Sequence, residues 1–364
     1  MSSHPWRREH SEAPAGHATT AILAYDVGGT SLRAAIYVPG APGVPGAPGR
    51  AGGIVRAIEA PTPNHLLYPN ESADQIRARL FAAIRALAAE LLGSASPGAV
   101  SAALPGPIDR SGRVLGCPTI WGDRDRSPFP IRQALAELFP GARLCVLNDV
   151  TAAGYRYLAE HGPDLCVVTV SSGIGHKVFI GGEPALGPSA RGGEIGHLRV
   201  DHSAEAPPCD CGGHGHLASV ASGRGVLRRA RREAAAGTAA ARASRLWPAI
   251  AADPSALDNP LLVRAFHEGD AWACGLIDDA ARELGRMLAF IHLGVGTERF
   301  VIVGGLAMAL GEGYRQRLVR AARETAWDRG NDWDSGVVLG VVEDAAGLVG
   351  AGRYAEAVLA GRLS

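Results

Sequence analysis

Two short glycine-rich segments of this chain carry the residue types that bind phosphate. DVGGT at 26–30 ends one apolar run and SSGIG at 171–175 ends another. Glycine lets backbone N–H groups approach a phosphate, hydroxyls add donors, and a carboxylate at the strand end can hold Mg²⁺ through water. A lone DVGGT is more typical of a plain hairpin turn, but the second segment favours a pair of phosphate sites. The candidates are Asp26, Gly28, Gly29, Thr30, Ser171, Ser172, Gly173 and Gly175.

A third candidate site is the pair Asn148-Asp149, between an apolar run at 143–147 and a helical pattern from about Thr151. A carboxylate at such a strand end can accept a hydroxyl proton during phosphoryl transfer. The alternative is that Asp149 only caps the helix. The phosphate turns favour the catalytic interpretation.

Thiols and imidazoles are concentrated between GGEIGH at 192–197 and CDCGGHGH at 209–216. Cys209 and Cys211 with two histidines make a set that suits tetrahedral Zn²⁺. A solvated loop is the alternative. The number of candidate ligands favours a metal.

The elements that must position these residues occur in two similar series. Each half opens with an apolar run, a glycine turn and a second apolar run: 21–27 and 32–38, then 165–170 and 178–180. Helical spacing follows at 74–92, where Ser72 or Asp74 can cap the start, and further strands are predicted at 99–104, 143–147 and 300–303. Two α/β halves indicate a duplicated fold with ligands in a cleft between them.

Composition narrows the class of protein. The chain has 364 residues, with 36 Lys+Arg balanced by 36 Asp+Glu. Without a basic excess, nucleic acid and anionic membranes are not expected partners, so a small molecule is favoured. No run of about 18 apolar residues occurs, and the scattered cysteines indicate a reducing compartment, so a cytoplasmic protein is expected. The PGAPG repeats within 39–53 are predicted to form an inserted loop rather than collagen.

These motifs together resemble the ROK proteins (repressors, open reading frames and sugar kinases) of the actin-like ATPase fold. The resemblance runs from Ala21 to the C-terminus and rests on segments in a fixed order: DVGGT at 26–30, LPGPID at 104–109 with Trp121 after it, ND at 148–149, SSGIG at 171–175, GGEIGH at 192–197, CDCGGHGH at 209–216, IVGGLA at 302–307 and DAAGLVGA at 344–351.

The resemblance assigns roles to the matched residues. It implies that the two turns, with Gly304 and Gly305, bind ATP, that Asp149 is the general base, and that Glu194 and His197, with Asn148, orient a sugar-like ring. It implies a structural zinc held by His197 with cysteines, and a homodimer. ATP or polyphosphate remains open as the donor.

The chain departs from the family pattern at four positions. His216 stands where a third zinc cysteine is usual, so the expected ligands are His197, Cys209, Cys211 and His216, with His214 as a rival. Ala218 replaces a glutamate that binds hydroxyls on the anomeric side, and Thr119 replaces an asparagine in the sugar pocket. Lys177, the only lysine, follows the second turn. It is either a cation for the β- or γ-phosphate or a solvated surface residue.

These departures resemble the branch of the family that phosphorylates C7-cyclitols in natural-product pathways. The expected enzyme transfers phosphate from ATP to the primary hydroxymethyl group of a valiolone-type ring, and a glucokinase or hexosamine kinase is the alternative. A repressor would need a winged helix-turn-helix before Asp26, where only 25 residues stand. A silent sugar sensor is disfavoured by Asp149 and the turns.

The predicted domains are a flexible tail at 1–19, an N-terminal α/β domain at 20–148, and a C-terminal α/β domain with the zinc loop at 149–349. A last helix at 350–364 is expected to return to the N-terminal domain.

Overall fold

The computed structural model describes residues 21–40, 52–122, 125, 127–327, 329–341 and 345–363. The predicted tail at 1–19 lies outside the described residues, as does nearly all of the predicted proline- and glycine-rich loop at 39–53.

Within the described residues the strands alternate with helices in the predicted order. The strands are β1 (Ile22–Val27), β2 (Ser31–Val38), β3 (Gly53–Pro61), β4 (Ala99–Leu104), β5 (Arg143–Asn148), β6 (Leu165–Val170), β7 (Ile174–Ile180), β8 (Glu183–Pro184), β9 (Phe300–Val303) and β10 (Val337–Leu339). The helices are α1 (Ala73–Leu92), α2 (Pro118–Trp121), α3 (Ile131–Leu138), α4 (Asp149–His161), α5 (Leu217–Ala221), α6 (Gly223–Ala235), α7 (Ala239–Ala243), α8 (Trp247–Ile250), α9 (Asn259–His267), α10 (Ala271–Val295), α11 (Gly305–Leu310), α12 (Glu312–Thr325), α13 (Trp333–Gly336) and α14 (Ala346–Leu359).

The two sheets have the same topology. Their strand orders are β3-β2-β1-β4-β5 and β8-β7-β6-β9-β10. In each, the first three strands pair antiparallel and the last three pair parallel. The predicted duplicated α/β fold is therefore confirmed, and each glycine turn closes the hairpin of its sheet.

The chain divides into two compact units. The N-terminal unit contains the described residues up to Arg156 together with 345–363, and the C-terminal unit runs from Tyr157 to residue 341. The chain passes from one unit to the other inside α4, whereas the sequence predicted a boundary at 148/149. The first turns of α4 pack on α14, where the rings of Tyr155 and Tyr354 lie 5.0 Å apart.

Helix α1 shows why the local sequence folds as it does. The Ser72 side chain accepts a hydrogen bond from the Gln75 backbone and the Gln75 side chain accepts one from Ser72 N–H, which satisfies two unpaired donors at the helix start. Ile76, Leu80 and Ile84 are buried at helical spacing. The amphipathic helix therefore covers the N-terminal sheet as predicted.

Helix α14 packs closely against the N-terminal sheet. Ser101 of β4 donates a hydrogen bond to the Ala351 carbonyl at 2.7 Å, and the Tyr37 hydroxyl of β2 donates one to the Glu356 carboxylate at 2.6 Å. A Cβ on Gly350 would overlap the Ala152 carbonyl. Glycine is required there because α14 and α4 touch through their backbones.

Among the described residues, no helix combines the length and the apolar character needed to cross a membrane.

Candidate active site and metal centre

Two buried polar side chains, Thr62 and Asn64, hold the backbone of the first glycine turn. Gly28 N–H donates to the Ser31 carbonyl at 2.8 Å, as a tight hairpin turn requires. Thr62 donates its hydroxyl to the Gly28 carbonyl at 2.8 Å, and Asn64 donates its amide to the Gly29 carbonyl at 2.9 Å. Both supporting side chains are buried. Because they bind the turn's carbonyls, they fix its backbone, and sequence patterns gave no sign of this role.

Two other predicted residues lie beside this turn in the N-terminal unit. Asp26 ends β1 and its carboxylate lies 3.6 Å from the Arg33 guanidinium. A Cβ on Gly29 would lie 3.5 Å from the Thr119 Cβ on α2. The structure therefore brings Asp26, Gly29 and Thr119 to one edge of the N-terminal sheet.

Asn148 and Asp149 make different hydrogen bonds at the start of α4. The Asn148 Oδ1 accepts from the N–H groups of Val150 (3.0 Å) and Thr151 (3.1 Å), so Asn148 caps the helix. Its Nδ2 donates to the Gly106 carbonyl at 3.0 Å and to Asp149 Oδ1 at 2.8 Å. The helix begins at Asp149, two residues before the predicted start. Asn148 is the main cap, while Asp149 Oδ1 also accepts from the adjacent Val150 N–H at 2.8 Å. This bond and the one from the Asn148 amide hold the Asp149 carboxylate in a fixed orientation.

The neighbouring thiol does not compete with Asp149 as a reactive group. Burial, with a smaller contribution from the Asp149 charge, raises the pKa of Cys117 to about 12. Cys117 therefore stays a neutral thiol, in contact with the Thr119 hydroxyl at 3.8 Å.

The second glycine turn opens onto a cavity in the C-terminal unit. Ser171 N–H donates to the Gly173 carbonyl at 2.9 Å, and Gly175 lies in β7 opposite Thr169. Ser171 and Ser172, with Gly305 at the start of α11, line a cavity of about 920 Å³. Gly304 immediately precedes α11. Predicted phosphate-binding residues from two distant segments therefore share one cavity.

Most of the remaining lining of this cavity comes from helix α9, which no sequence pattern connects to the second glycine turn. The α9 residues on the lining include Asn259, Arg264 and His267. Asn259 Oδ1 is buried and without a hydrogen-bond partner among the described residues. The one available signal was Asp258-Asn259-Pro260, a helix-start pattern that Asp258 fulfils by accepting from Leu261 N–H at 2.8 Å. That pattern marks a helix and says nothing about its neighbours.

Lys177 is placed differently from both predictions. It is 3% exposed, so it is not a solvated surface residue. Its ammonium donates to the Gly192 carbonyl (2.9 Å), the Gly193 carbonyl (3.2 Å) and Glu194 Oε1 (2.9 Å). An ammonium has three donors and all three are used, so we assign Lys177 to Glu194 in place of a phosphate.

His176, beside Lys177 on β7, also holds the segment around Glu194. Its Nδ1 accepts a hydrogen bond from Ile195 N–H at 3.3 Å. Burial, with a smaller contribution from the Lys177 charge, lowers the pKa of His176 to about 4. The imidazole is therefore neutral near pH 7, as an acceptor must be.

The four expected metal ligands come together in the C-terminal unit. The ligand atoms of His197, Cys209, Cys211 and His216 all lie within 4.8 Å of one another. Cys209 Sγ is 3.8 Å from His197 Nδ1, and Cys211 Sγ is 3.2 Å from His216 Nδ1. Tetrahedral zinc, with Zn–S near 2.3 Å and Zn–N near 2.0 Å, needs sulfur–nitrogen separations of about 3.5 Å. Two thiols and two imidazoles in this arrangement fit zinc.

A tight turn builds the metal cluster and excludes the rival ligand. Cys209 N–H donates to the Gly213 carbonyl at 2.8 Å and Gly212 N–H to the Cys209 carbonyl at 2.9 Å. His214 lies on the turn but is not in the cluster, which contains His216. Alternate residues after the turn point in different directions, which explains why spacing alone left the two histidines as alternatives.

A family model described as the ROK family matches residues 62–358. The chain is 36% identical over 304 residues to a C(7)-cyclitol 7-kinase of Streptomyces hygroscopicus subsp. jinggangensis, covering 80% of this chain and 85% of that protein. It is 30% identical over 358 residues to a 2-epi-5-epi-valiolone 7-kinase of Actinoplanes sp., covering 92% of each.

One solved structure has a similar fold. A ROK family glucokinase from Streptomyces griseus, in complex with glucose and AMPPNP, superimposes with a TM-score of 0.70 at 23% identity, covering 92% of this chain and 98% of that one. The family model spans more than half of the chain, and the two kinases align with 80% and 92% of it. From its sequence and its duplicated α/β fold, the chain belongs to the ROK family.

Proposed function

We propose that this protein transfers the γ-phosphoryl group of ATP to the primary hydroxymethyl group of a C7-cyclitol of the valiolone type. The observation that carries the proposal is the start of α4, where Asn148 caps the helix and holds the Asp149 carboxylate. The cyclitol class is supported by the 36% and 30% identity to kinases with those substrates.

Asp149 is the general base. As the acceptor oxygen bonds to the γ-phosphorus, the bond from that phosphorus to the β,γ-bridging oxygen breaks and ADP leaves. The hydroxyl proton passes to the Asp149 carboxylate. The Asn148 amide fixes the orientation of that carboxylate through the 2.8 Å hydrogen bond, so little reorganisation is needed during transfer.

The donor is a nucleoside triphosphate bound as its magnesium complex. The cavity of about 920 Å³ continues from Ser171 and Ser172 to α9, and a base and ribose would fill it, whereas polyphosphate would leave it empty. The unpaired Asn259 Oδ1 offers an acceptor there. Asp26, at the end of β1 beside the first turn, offers the oxygen ligands that Mg²⁺ takes.

The acceptor is oriented by Glu194, His197, Thr119 and Asn148. His197 binds a structural zinc through Nδ1 together with Cys209, Cys211 and His216, and its Nε2 is left for a substrate hydroxyl. The zinc supplies no chemistry to transfer; it orders the segment that carries Glu194 and His197.

The second candidate is a glucokinase or hexosamine kinase, and Ala218 separates it from the first. Ala218 Cβ lies 3.7 Å from the place of a Cβ on Gly196, so its methyl group faces the same segment as Glu194. A methyl group accepts no hydrogen bond, and a charged acceptor contributes about 1.5–3 kcal/mol. Glucose should therefore bind roughly tenfold to a hundredfold more weakly than with a carboxylate at this position.

The deciding experiment is a coupled ADP-release screen over hexoses, hexosamines and C7-cyclitols, with ATP and polyphosphate as donors. We expect the highest kcat/KM with 2-epi-5-epi-valiolone or a related cyclitol and ATP. Ala218→Glu should raise kcat/KM for glucose and lower it for the cyclitol, because a desolvated carboxylate without a partner hydroxyl is unfavourable. A wild-type preference for glucose or a hexosamine would establish the second candidate.

The chain is also proposed to form a homodimer. Phe290 and Leu293, one helical turn apart on α10, are 64% and 54% exposed. A second copy of the chain covering this face would bury them. Light scattering tests the oligomer, and Leu293→Glu should dissociate it.

A further inference from the structure

Strand β7 contains a lysine, Lys177, whose ammonium uses all three of its hydrogen-bond donors. Lys177 is almost fully buried and donates to two carbonyls, Gly192 and Gly193, and to Glu194 Oε1. A buried ammonium is stable only when it is paired and hydrogen-bonded in this way. The three partners are consecutive residues, so one side chain fixes the whole approach to Glu194.

The glycine turn and the lysine fit each other closely. Gly193 has a φ of +86°, and a Cβ there would lie 2.5 Å from Lys177 Cδ and 2.7 Å from Nζ. Any other residue at this position would displace the ammonium. On the other side of Glu194, the Ile195 N–H donates to His176. Two consecutive β7 residues therefore hold the backbone before and after Glu194.

The two carboxylate oxygens of Glu194 are consequently different. Oε1 accepts from Lys177 at 2.9 Å, and within the part of the chain that the structure describes no partner of Oε2 is found. The Glu194 side chain is 35% exposed, so a ligand can reach the carboxylate. A carboxylate that ordinarily accepts bonds at both oxygens here has one oxygen for a substrate.

We propose that Lys177 is a positioning residue for the acceptor: it holds Oε1 of Glu194, so that Oε2 alone receives a substrate hydroxyl. The inference rests on the proposed function and defines its substrate class further. The Ala218 methyl group, near Gly196, adds no hydrogen-bond acceptor beside Glu194. The substrate hydroxyls on that side of the ring therefore donate to a single carboxylate oxygen, Oε2.

Replacing the carboxylate by an amide tests this orientation. In Glu194→Gln, the intact Lys177 keeps the amide oxygen toward itself, so the amide nitrogen, a donor, faces the substrate where an acceptor is needed. In the double variant Lys177→Met/Glu194→Gln, the amide is free to turn its oxygen to the substrate. The added Lys177→Met substitution should therefore restore part of the substrate affinity that Glu194→Gln removes.

The experiment measures KM and kcat for 2-epi-5-epi-valiolone and for ATP. We expect Glu194→Gln to raise the cyclitol KM about tenfold or more, and Lys177→Met/Glu194→Gln to lower it again at least about threefold, with the KM for ATP within twofold of wild type. A purely structural role for Lys177 would make the double variant worse than the single one. If Lys177→Met does not fold, Lys177→Gln replaces it, since an amide can still donate to Gly192 and Gly193.

The matched control is Arg315→Met. Arg315 also binds one carboxylate, Glu312, and two carbonyls, Asp334 and Val337, but on α12, outside the proposed site. It should leave the cyclitol KM unchanged. A double variant no better than Glu194→Gln, or a control that raises the cyclitol KM as Glu194→Gln does, overturns the inference alone. A wild-type enzyme that turns over no acceptor of the screen overturns the proposed function, and the inference with it.

Discussion

The two hairpins that carry the glycine turns have the same topology and different interiors. Counted from the residue pair that closes each turn, the third and fourth positions of the second strand are Ala34 and Ala35 in the N-terminal unit and His176 and Lys177 in the C-terminal unit. All four side chains are buried. At these two positions the alanines of β2 offer no polar side chain, whereas the basic pair on β7 binds the segment around Glu194.

The difference shows how one duplicated framework can hold two candidate functional carboxylates in different ways. The N-terminal unit orients Asp149 from a helix start, through a cap and an amide. The C-terminal unit orients Glu194 from the interior of its sheet, through an ammonium and an imidazole. The proposed base is thus fixed by regular structure, and the proposed substrate-binding carboxylate in the loop by buried side chains.

The largest effect is expected from the helix start. Asp149→Asn should lower kcat by about 10²–10⁴ and leave the cyclitol KM within a few-fold, because an amide keeps the shape and cannot take the proton. The melting temperature should not change. Steady-state kinetics and thermal unfolding check this.

The matched control for Asp149→Asn is Asp332→Asn at the start of α13, where asparagine caps equally well. It should stay within twofold of wild type. An Asp149→Asn enzyme within threefold of wild-type kcat would remove Asp149 from the mechanism.

The metal cluster gives the next largest effect. Purified protein should contain close to one zinc per chain, and Cys211→Ser or His216→Ala should lose it together with at least about tenfold in turnover, because the segment with Glu194 and His197 loses its anchor. Metal analysis by mass spectrometry measures the loss. His214→Ala and Cys274→Ser, outside the cluster, should keep the metal. Active enzyme without zinc would refute the site.

A smaller effect concerns pH and the interior of β7. Because the pKa of His176 is lowered to about 4 in the folded chain, the folded state disfavours its protonation. The contribution of neutral His176 to the stability of the fold is fully present above pH 6.5, the ordinary pKa of histidine. It is lost as the pH falls from there to about 4. The loss in the free energy of unfolding is at most about 3 kcal/mol.

The measurement compares urea unfolding of wild type and His176→Gln between pH 4 and 7. Glutamine keeps an acceptor for Ile195 N–H and does not titrate, so the variant should show a flatter decline over this range. His292→Gln, at the end of α10, is the control. Parallel curves for wild type and His176→Gln would contradict the assignment.

The smallest effect is expected at a link between the second turn and the metal cluster. Arg224 Nε donates to the Ser172 carbonyl at 3.0 Å, and its Nη1 lies 2.8 Å from Asp210, between the two cysteines. Both side chains are more than two-fifths exposed, so the pair contributes little. Arg224→Met should raise the KM for ATP about twofold to fivefold.

Arg228→Met is the matched control for Arg224→Met. Arg228 contacts Asp210 and the Pro208 carbonyl and does not reach the turn. Its KM for ATP should equal the wild-type value. Equal effects of the two variants would mean that Asp210, and not the contact with Ser172, matters.

The sequence predicted the framework well because the framework is local. Strand β4 has the predicted bounds, Ala99–Leu104, and α1 begins one residue before the predicted start. Apolar spacing, caps and glycine turns act over a few residues, so they can be recognised in one sequence. The resemblance then supplied what spacing alone left open, including His216 in the metal set.

The parts that were missed depend on contacts between distant segments. The position of Lys177 just after the second turn predicts a phosphate contact. In the structure Lys177 lies on the strand after that turn, and its partners are 15 to 17 residues away in the chain. Asn259 and Arg264 reach the cavity only because α9 packs beside α11. No periodicity reports which helix will cover which turn, so these residues were visible only in the fold.

The packing of α14 also has a consequence for synthesis. The C-terminal unit is made of one continuous stretch, whereas the N-terminal unit needs 345–363 to cover Ser101 and Tyr37. A chain emerging from the ribosome therefore has all of the second unit available before the first can be completed. The half translated first is finished last, and until then its sheet has an uncovered face on which chaperones can act.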